Sequence, residues 1–277
     1  MLGIVFGCIA PHGDEIVSEL VGELDEESKI LADAMETLAY RLLLKEPDVI
    51  VIATPHNLRI YEHIGIIATS YASGTWIGEN GAISVEAICD RDFAYCLYNR
   101  SKNVGIPVVL VNFGTSEGKY SNMPLDWGTI IPLWFVAKKY SEQGAELPKI
   151  VMVTPSREIP WDSLVRFGEI IYEVSKETNR KVAFIASADQ GHAHDPEGPY
   201  GYDEASKEYD KYVLEIVRNN RLDRLLELDP HFVERAKPDS LWQMLILYGA
   251  IRKTDLRNTL AVYGCPTYYG MLVAVFE

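Results

Sequence analysis

Short apolar runs alternate along the chain with longer amphipathic stretches, the pattern of strands covered on both faces and joined by helices. The first run, Gly3–Ala10, stops abruptly at Pro11-His12-Gly13-Asp14-Glu15. Residues 27–45 follow with Leu31, Ala34, Leu38 and Leu42 at helical spacing, and Val49–Ala53 is again continuously apolar before Pro55-His56-Asn57. This opening predicts a βαβ unit with parallel strands. Residues 60–70 and 76–88, broken by Gly74 and by the Gly78-Glu79-Asn80-Gly81 turn, read as antiparallel strands covering one sheet edge. A helix over 90–103 leads to a third central strand over 107–112. The polar loop 115–126 is long enough to close over the sheet rim. Further on, helices are expected over 131–143, 161–179, 204–219, 221–227 and 238–251, and strands over 149–154, 182–187, 260–263 and 271–276. With no repeat or linker visible, the whole of 1–277 reads as one α/β domain with a mixed, largely parallel central sheet flanked by helices.

Composition narrows the partners. A net charge of −14 and no cluster of Lys or Arg exclude a phosphate-backbone surface, so nucleic acid is not an expected partner. Cys8, Cys89, Cys96 and Cys265 lack the spacing of a zinc knuckle and suit a reduced, cytoplasmic chain. The first apolar run lacks a basic flank and ends at Pro11, too soon for a bilayer span, and no membrane association is expected.

Chemistry concentrates after the strands. Ligands in open α/β sheets bind beyond the carboxyl ends of the strands, and His12, His56, His192 and His194 all follow apolar runs there. One such histidine is ordinarily a hydrogen-bonded loop residue, but the recurrence offers imidazoles for Fe(II) or Zn(II), with a carboxylate to complete the set. Asp14, Glu15, Asp189, Asp195 and Asp239 are the candidates. Asp239 heads an apolar helix, where the plain reading is an N-cap; Asp189 and Asp195 read as loop carboxylates or as partners fixing a histidine tautomer. His63 and His231 read as surface or capping residues. Tyr268 and Tyr269, in the turn 264–270, suit either a tight packing corner or the wall of a ring-binding pocket.

Several of these features in chain order resemble the class III extradiol ring-cleavage dioxygenases of the catalytic-subunit type, with the Memo-like proteins as non-dioxygenase relatives. They are Pro11-His12, Pro55-His56, the D-x-G-x-x-x-P-L segment from Asp126 to Leu133, the S-x-D-x-x-H turn from Ser187 to His192, and the carboxylate-headed helix ending at Gly249-Ala250. The resemblance implies that His12, His56 and Asp239 hold Fe(II), with Zn(II) able to take its place. It also makes His192 the acid/base group, with His194 as its neighbour, and gives Trp127, Tyr268 and Tyr269 a place in the substrate pocket. Asp239 stands where the dioxygenases have glutamate, and Trp127 where they commonly have a histidine. The implied substrates are a small aromatic diol and O₂, the implied assembly a homo-oligomer with room for a small partner subunit. A Memo-type binding protein and a zinc-dependent hydrolase are the alternative functions.

Overall fold

The computed structural model describes residues 2–277. Strands β1 (Gly3–Ala10), β2 (Val49–Ala53), β3 (Ile64–Ile67), β6 (Val108–Val111), β8 (Lys149–Pro155), β9 (Lys181–Ser187), β10 (Asn258–Gly264) and β11 (Met271–Phe276) form one sheet in the order β10-β11-β1-β9-β2-β8-β3-β6. A small second sheet has the order β5-β4-β7, from β4 (Tyr71–Ile77), β5 (Ala82–Ile88) and β7 (Asn122–Pro124). The helices are α1 (Ser18–Val21), α2 (Glu26–Leu44), α3 (Arg91–Asn103), α4 (Trp127–Glu142), α5 (Trp161–Glu177), α6 (Glu204–Arg218), α7 (Pro230–Ala236) and α8 (Leu241–Ile251), with a 3-10 segment at Leu222–Glu227. The expected mixed, largely parallel sheet is what forms: β1, β9, β2 and β8 run parallel at its centre, and β11 and β3 flank them antiparallel.

Alternate residues of the central strands feed two cores. Val49, Val51 and Ala53 join the one beneath α3, α5, α6 and α8, while Ile50 and Ile52 join the one beneath α2, α4 and the small sheet. Burial on both faces explains why these strands read as unbroken apolar runs. In α2 the four expected core positions Leu31, Ala34, Leu38 and Leu42 are buried, and the Asp25 carboxylate caps the helix by accepting from the Ser28 amide at 2.7 Å.

Three expectations are corrected. Residues 107–112 do not make a central strand: β6 lies at the sheet edge, paired only with β3, and Val109 to Val111 are correspondingly half-buried. The loop 115–126 does not cover the rim that carries the histidines. Because β3 is antiparallel to β8 and β6 parallel to β3, β6 delivers its loop to the opposite rim. There Gly118 N–H donates to the Ser70 hydroxyl at 3.0 Å, and β7 then pairs with β4 to carry the chain back toward Asp126. A polar loop beyond an edge strand looks the same in sequence as one above the site; strand direction decides between them. The expected strand over 60–70 contributes only β3, inside the large sheet, and the hairpin β4–β5 packs on a face of that sheet instead of covering its edge.

Helices α5 and α8 cross at glycines. A Cβ on Gly249 would stand 1.9 Å from the Val165 carbonyl oxygen, and one on Gly168 would stand 2.1 Å from that of Ile246. Because the obstacle is backbone, the helices would have to separate, so Gly249→Ala is expected to cost roughly 1–3 kcal/mol or more, read as a lower midpoint in urea unfolding.

Candidate metal centre

The carboxyl ends of β1, β2 and β9 and the head of α8 converge. His12 follows β1, His56 follows β2, and Asp239 lies between α7 and α8 after the left-handed Lys237 (φ 52°). His12 Nε2 lies 3.1 Å from His56 Nε2, and Asp239 Oδ2 lies 3.4 Å from each. Donor atoms each ~2.1 Å from a shared ion stand ~3 to 3.4 Å apart in octahedral to tetrahedral arrangements, so this triangle fits one divalent metal. Asp239 is not the helix cap: α8 starts from Ser240, and Asp239 spends Oδ1 on the Asp189 amide at 3.0 Å while Oδ2 faces the histidines.

The motif residues each act on this triangle. The Asp126 side chain caps α4 by accepting from the Thr129 amide at 3.1 Å, and it also accepts from the Thr54 hydroxyl at 3.0 Å, tying α4 to the end of β2. Gly128 is where α4 meets the site, since a Cβ there would lie 2.9 Å from His56 Cδ2. Pro132 has no N–H for the Gly128 carbonyl four residues back, and the Ser187 hydroxyl donates to that carbonyl instead. With its proton so committed, Ser187 Oγ accepts from His12 Nδ1 at 2.9 Å. The imidazole is thereby held with Nε2 turned into the triangle, the arrangement a histidine ligand requires.

Electrostatics sharpen the picture. Burial works against the His12 imidazolium, but the Asp189 and Asp239 carboxylates outweigh it and push its pKa up to about 9. Burial raises Asp189 to about 7, against the pull of His12 and with the repulsion of Asp239. Asp239 is also desolvated, yet His12 and His56 hold its carboxyl well below the usual range. Asp189, read from sequence as a loop or tautomer-fixing carboxylate, sits against the first histidine: its Oδ1 accepts from the His12 amide at 3.1 Å and its Oδ2 lies 3.2 Å from Nε2.

His192 lies beside the triangle without joining it, its Nε2 3.9 Å from Asp239 Oδ2. Its Nδ1 is 2.7 Å from the Gln190 carbonyl oxygen, which only accepts, so Nδ1 carries the proton and Nε2 presents a lone pair. Burial lowers its pKa, against the pull of Asp239. His194, two residues on, is a correction to the expected catalytic pair. It points away into another part of the molecule, where its Nε2 contacts Asp210 Oδ2 at 2.8 Å, and it does not line the cavity at the triangle.

That cavity measures about 760 Å³. Trp127 stacks on His56 with ring centroids 4.1 Å apart and is backed by Trp76 at 5.3 Å. In the same lining Tyr269 stacks on His192 at 5.2 Å, with Tyr268 beside it and the Tyr269 hydroxyl donating to Glu15 at 2.5 Å. Trp127, Tyr268 and Tyr269 thus line the cavity. Trp76, Trp242, Arg59 and Arg157 line it too and were missed, because they come from a covering strand, a helix interior and two loops with no local signature.

The model of the catalytic LigB subunit of aromatic ring-opening dioxygenase matches residues 7–274. The chain belongs to this family. Among curated proteins, this LigB-family chain is 26% identical over 258 residues to Protein CA_C1420 of Clostridium acetobutylicum, covering 92% of itself and 53% of that relative. It therefore spans about half the length of the curated relative it matches. Among solved structures, the uncharacterized protein JW3007 from Escherichia coli K12 superposes with a TM-score of 0.60 at 15% identity, over 98% of this chain and 99% of that one. That likeness is one of fold. No helix among the described residues is long and apolar enough to cross a membrane.

With Nδ1 of His12 committed to Ser187, an incoming ion competes with a proton for Nε2. Metal uptake at pH 7 is therefore expected to release close to one proton from His12, and the release should fade as the pH rises past about 9. Calorimetry in buffers of different ionisation enthalpy reads this directly. His12→Ala and His56→Ala should lose stoichiometric metal and Asp239→Asn should bind it more weakly; wild-type content in both alanine variants after chelation and reloading would refute the ligand set.

Proposed function

We propose that this LigB-family chain is a non-haem Fe(II) extradiol dioxygenase that opens a catechol-like ring beside its two hydroxyls. The observation that carries the reading is the conjunction at one cavity end of a two-histidine, one-aspartate triangle with a separate, neutral, outward-facing imidazole, His192. His12, His56 and Asp239 would hold the ion. When bound, the ion supplies acidification of the diol and redox access to O₂, and three protein donors leave it positions for both.

The rest of the work falls to side chains. The aromatic lining, Trp127 beside His56 and Tyr269 stacked on His192, offers flat faces to an aromatic ring. His192 Nε2 is the base that takes a hydroxyl proton from the diol, and the resulting imidazolium is stabilised by the nearby Asp239 carboxylate. The same nitrogen then returns the proton as the O–O bond breaks, to the oxygen released from it, a cycle that keeps charge balanced inside a buried site. Nδ1 stays bonded to Gln190 throughout, so the ring does not turn over between the two transfers.

Anaerobic loading with Fe(II), followed by stoichiometric O₂ uptake with diols and the absorbance of a ring-opened product, tests the activity. His192→Gln should keep its metal and lose about 10²- to 10⁴-fold in turnover. Because burial depresses the His192 pKa, the base is free at neutral pH and the acidic limb of the wild-type rate profile should fall below the ordinary imidazole range. Loss of metal in His192→Gln as complete as in His12→Ala would make His192 a ligand and favour a zinc-type site with three histidines.

A further inference from the structure

The cavity, at about 760 Å³, holds far more than a single ring, and three cations line it. Arg59 follows β2, Arg157 follows β8 and Lys237 ends α7, so three separate segments deliver positive charge to one space. This is unexpected in a chain with 40 acidic and 26 basic residues. Among the described residues none of the three has a carboxylate within salt-bridge distance, and no side-chain hydrogen bond occupies them, whereas many of the chain's other basic residues are paired. Arg157 is spread over the Trp242 ring with its guanidinium carbon 4.8 Å from the ring centroid, and Trp242 Nε1 donates to the Arg157 carbonyl at 3.1 Å, so backbone and side chain are both held. Burial disfavours the Arg157 charge, the Asp239 carboxylate favours it from beyond salt-bridge distance, and Arg59 is close enough to oppose it. Of the acids lining the cavity, Asp14 is bonded to Trp76, Glu15 to Tyr269 and Glu234 pairs with His231, while Asp189 and Asp239 serve the triangle.

Like-charged side chains gathered without a directly paired carboxylate disfavour one another, and an anionic ligand group relieves that repulsion on binding. A single carboxylate is satisfied by one guanidinium fork, which would leave two cations unanswered. We propose that Arg59, Arg157 and Lys237 form a subsite for a doubly charged oxyanion, a phosphate monoester or a pair of carboxylates, at the far end of a ring-bearing ligand. As a statement about substrate the proposal rests on the ring-cleavage reading; the anion subsite itself does not. Arg157 on its tryptophan is the fixed element, and Arg59 and Lys237 close the charge around the group.

The test is calorimetric titration of the protein as isolated with phenyl phosphate, phthalate and benzoate, which share a ring and differ in charge. One or both dianions should bind at least ~10-fold more tightly than benzoate. Arg157→Gln and the exposed, unbonded Arg59→Gln should each weaken the dianion by roughly 10- to 100-fold, and Arg157→Lys should restore part of the loss. Phenyl phosphate against phthalate decides which oxyanion is preferred. Treatment with a chelator, which removes any metal from the triangle and leaves every side chain in place, should leave dianion binding unchanged. Equal affinity for benzoate and both dianions would overturn the double charge, and dianion binding that survives both arginine variants or is lost on chelation and restored by added metal would overturn the subsite by placing the anion on the metal. Failure of the ring-cleavage reading looks different: no O₂ uptake with any diol, while dianion binding stays sensitive to Arg157.

Discussion

Everything at the rim depends on His12 being turned so that Nε2, and not Nδ1, faces its partners. The device is a vacancy in the α4 hydrogen-bond ladder. Pro132 leaves the Gly128 carbonyl unpaired, the Ser187 hydroxyl takes it, and the spent hydroxyl can then only accept from His12 Nδ1. A proline inside a helix ordinarily weakens it by removing such a bond. Here the free carbonyl is reused between two elements, because β9 runs beside β1 and brings Ser187 level with Ala10. Outer partners of this kind typically change metal affinity by about 10- to 100-fold when removed.

The second constraint is electrostatic. Two imidazoles and two carboxylates share a space with little solvent, where an unmatched charge is expensive. The groups divide the charge between them: Asp239 stays ionised, His12 holds a proton far above its usual range, and Asp189 is pushed toward neutrality by burial. A divalent ion answers the same charge with one centre. His192 stands at the margin of this field, and burial keeps it unprotonated even though Asp239 is near.

The wall carrying Tyr268 and Tyr269 is held from below. Gln190 N–H donates to the Gly270 carbonyl at 2.7 Å, Gly270 N–H to Gly191 at 3.0 Å, and His194 N–H to Tyr268 at 3.2 Å, so the segment carrying His192 and the turn carrying Tyr268 and Tyr269 move as one. Beneath them buried Asp210 accepts from the Gly191 amide and from the Tyr263 hydroxyl, each at 2.7 Å, and contacts His194. A Cβ on Gly270 would fall 2.0 Å from the Asp210 carboxylate, which accounts for the glycine. His194 thus braces the wall, and the polar work at the cavity is left to His192.

The sequence by itself determined the parts whose cause is local. Unbroken apolar strands announced a sheet buried on both faces, the spacing of Leu31, Ala34, Leu38 and Leu42 announced α2, and strand ends followed by histidine announced the rim, since loops there are the place for polar groups. His12, His56 and Asp239 were legible because each ends or begins an apolar element, and comparison with a known pattern paired them. Strand order and direction were not legible. They left β6 at an edge, sent the loop 115–126 to the far rim and put β3 into the large sheet, because the apolar content of a short strand does not say which neighbour it pairs with or which way it runs. Which of two adjacent histidines faces the cavity was likewise settled by tertiary contacts, His192 by Gln190 and Tyr269, His194 by Asp210. The same holds for Arg59, Arg157 and Lys237, which stand far apart in the chain and share a cavity only because parallel β2 and β8 bring their loops to one end of the sheet and the end of α7 lies beside them.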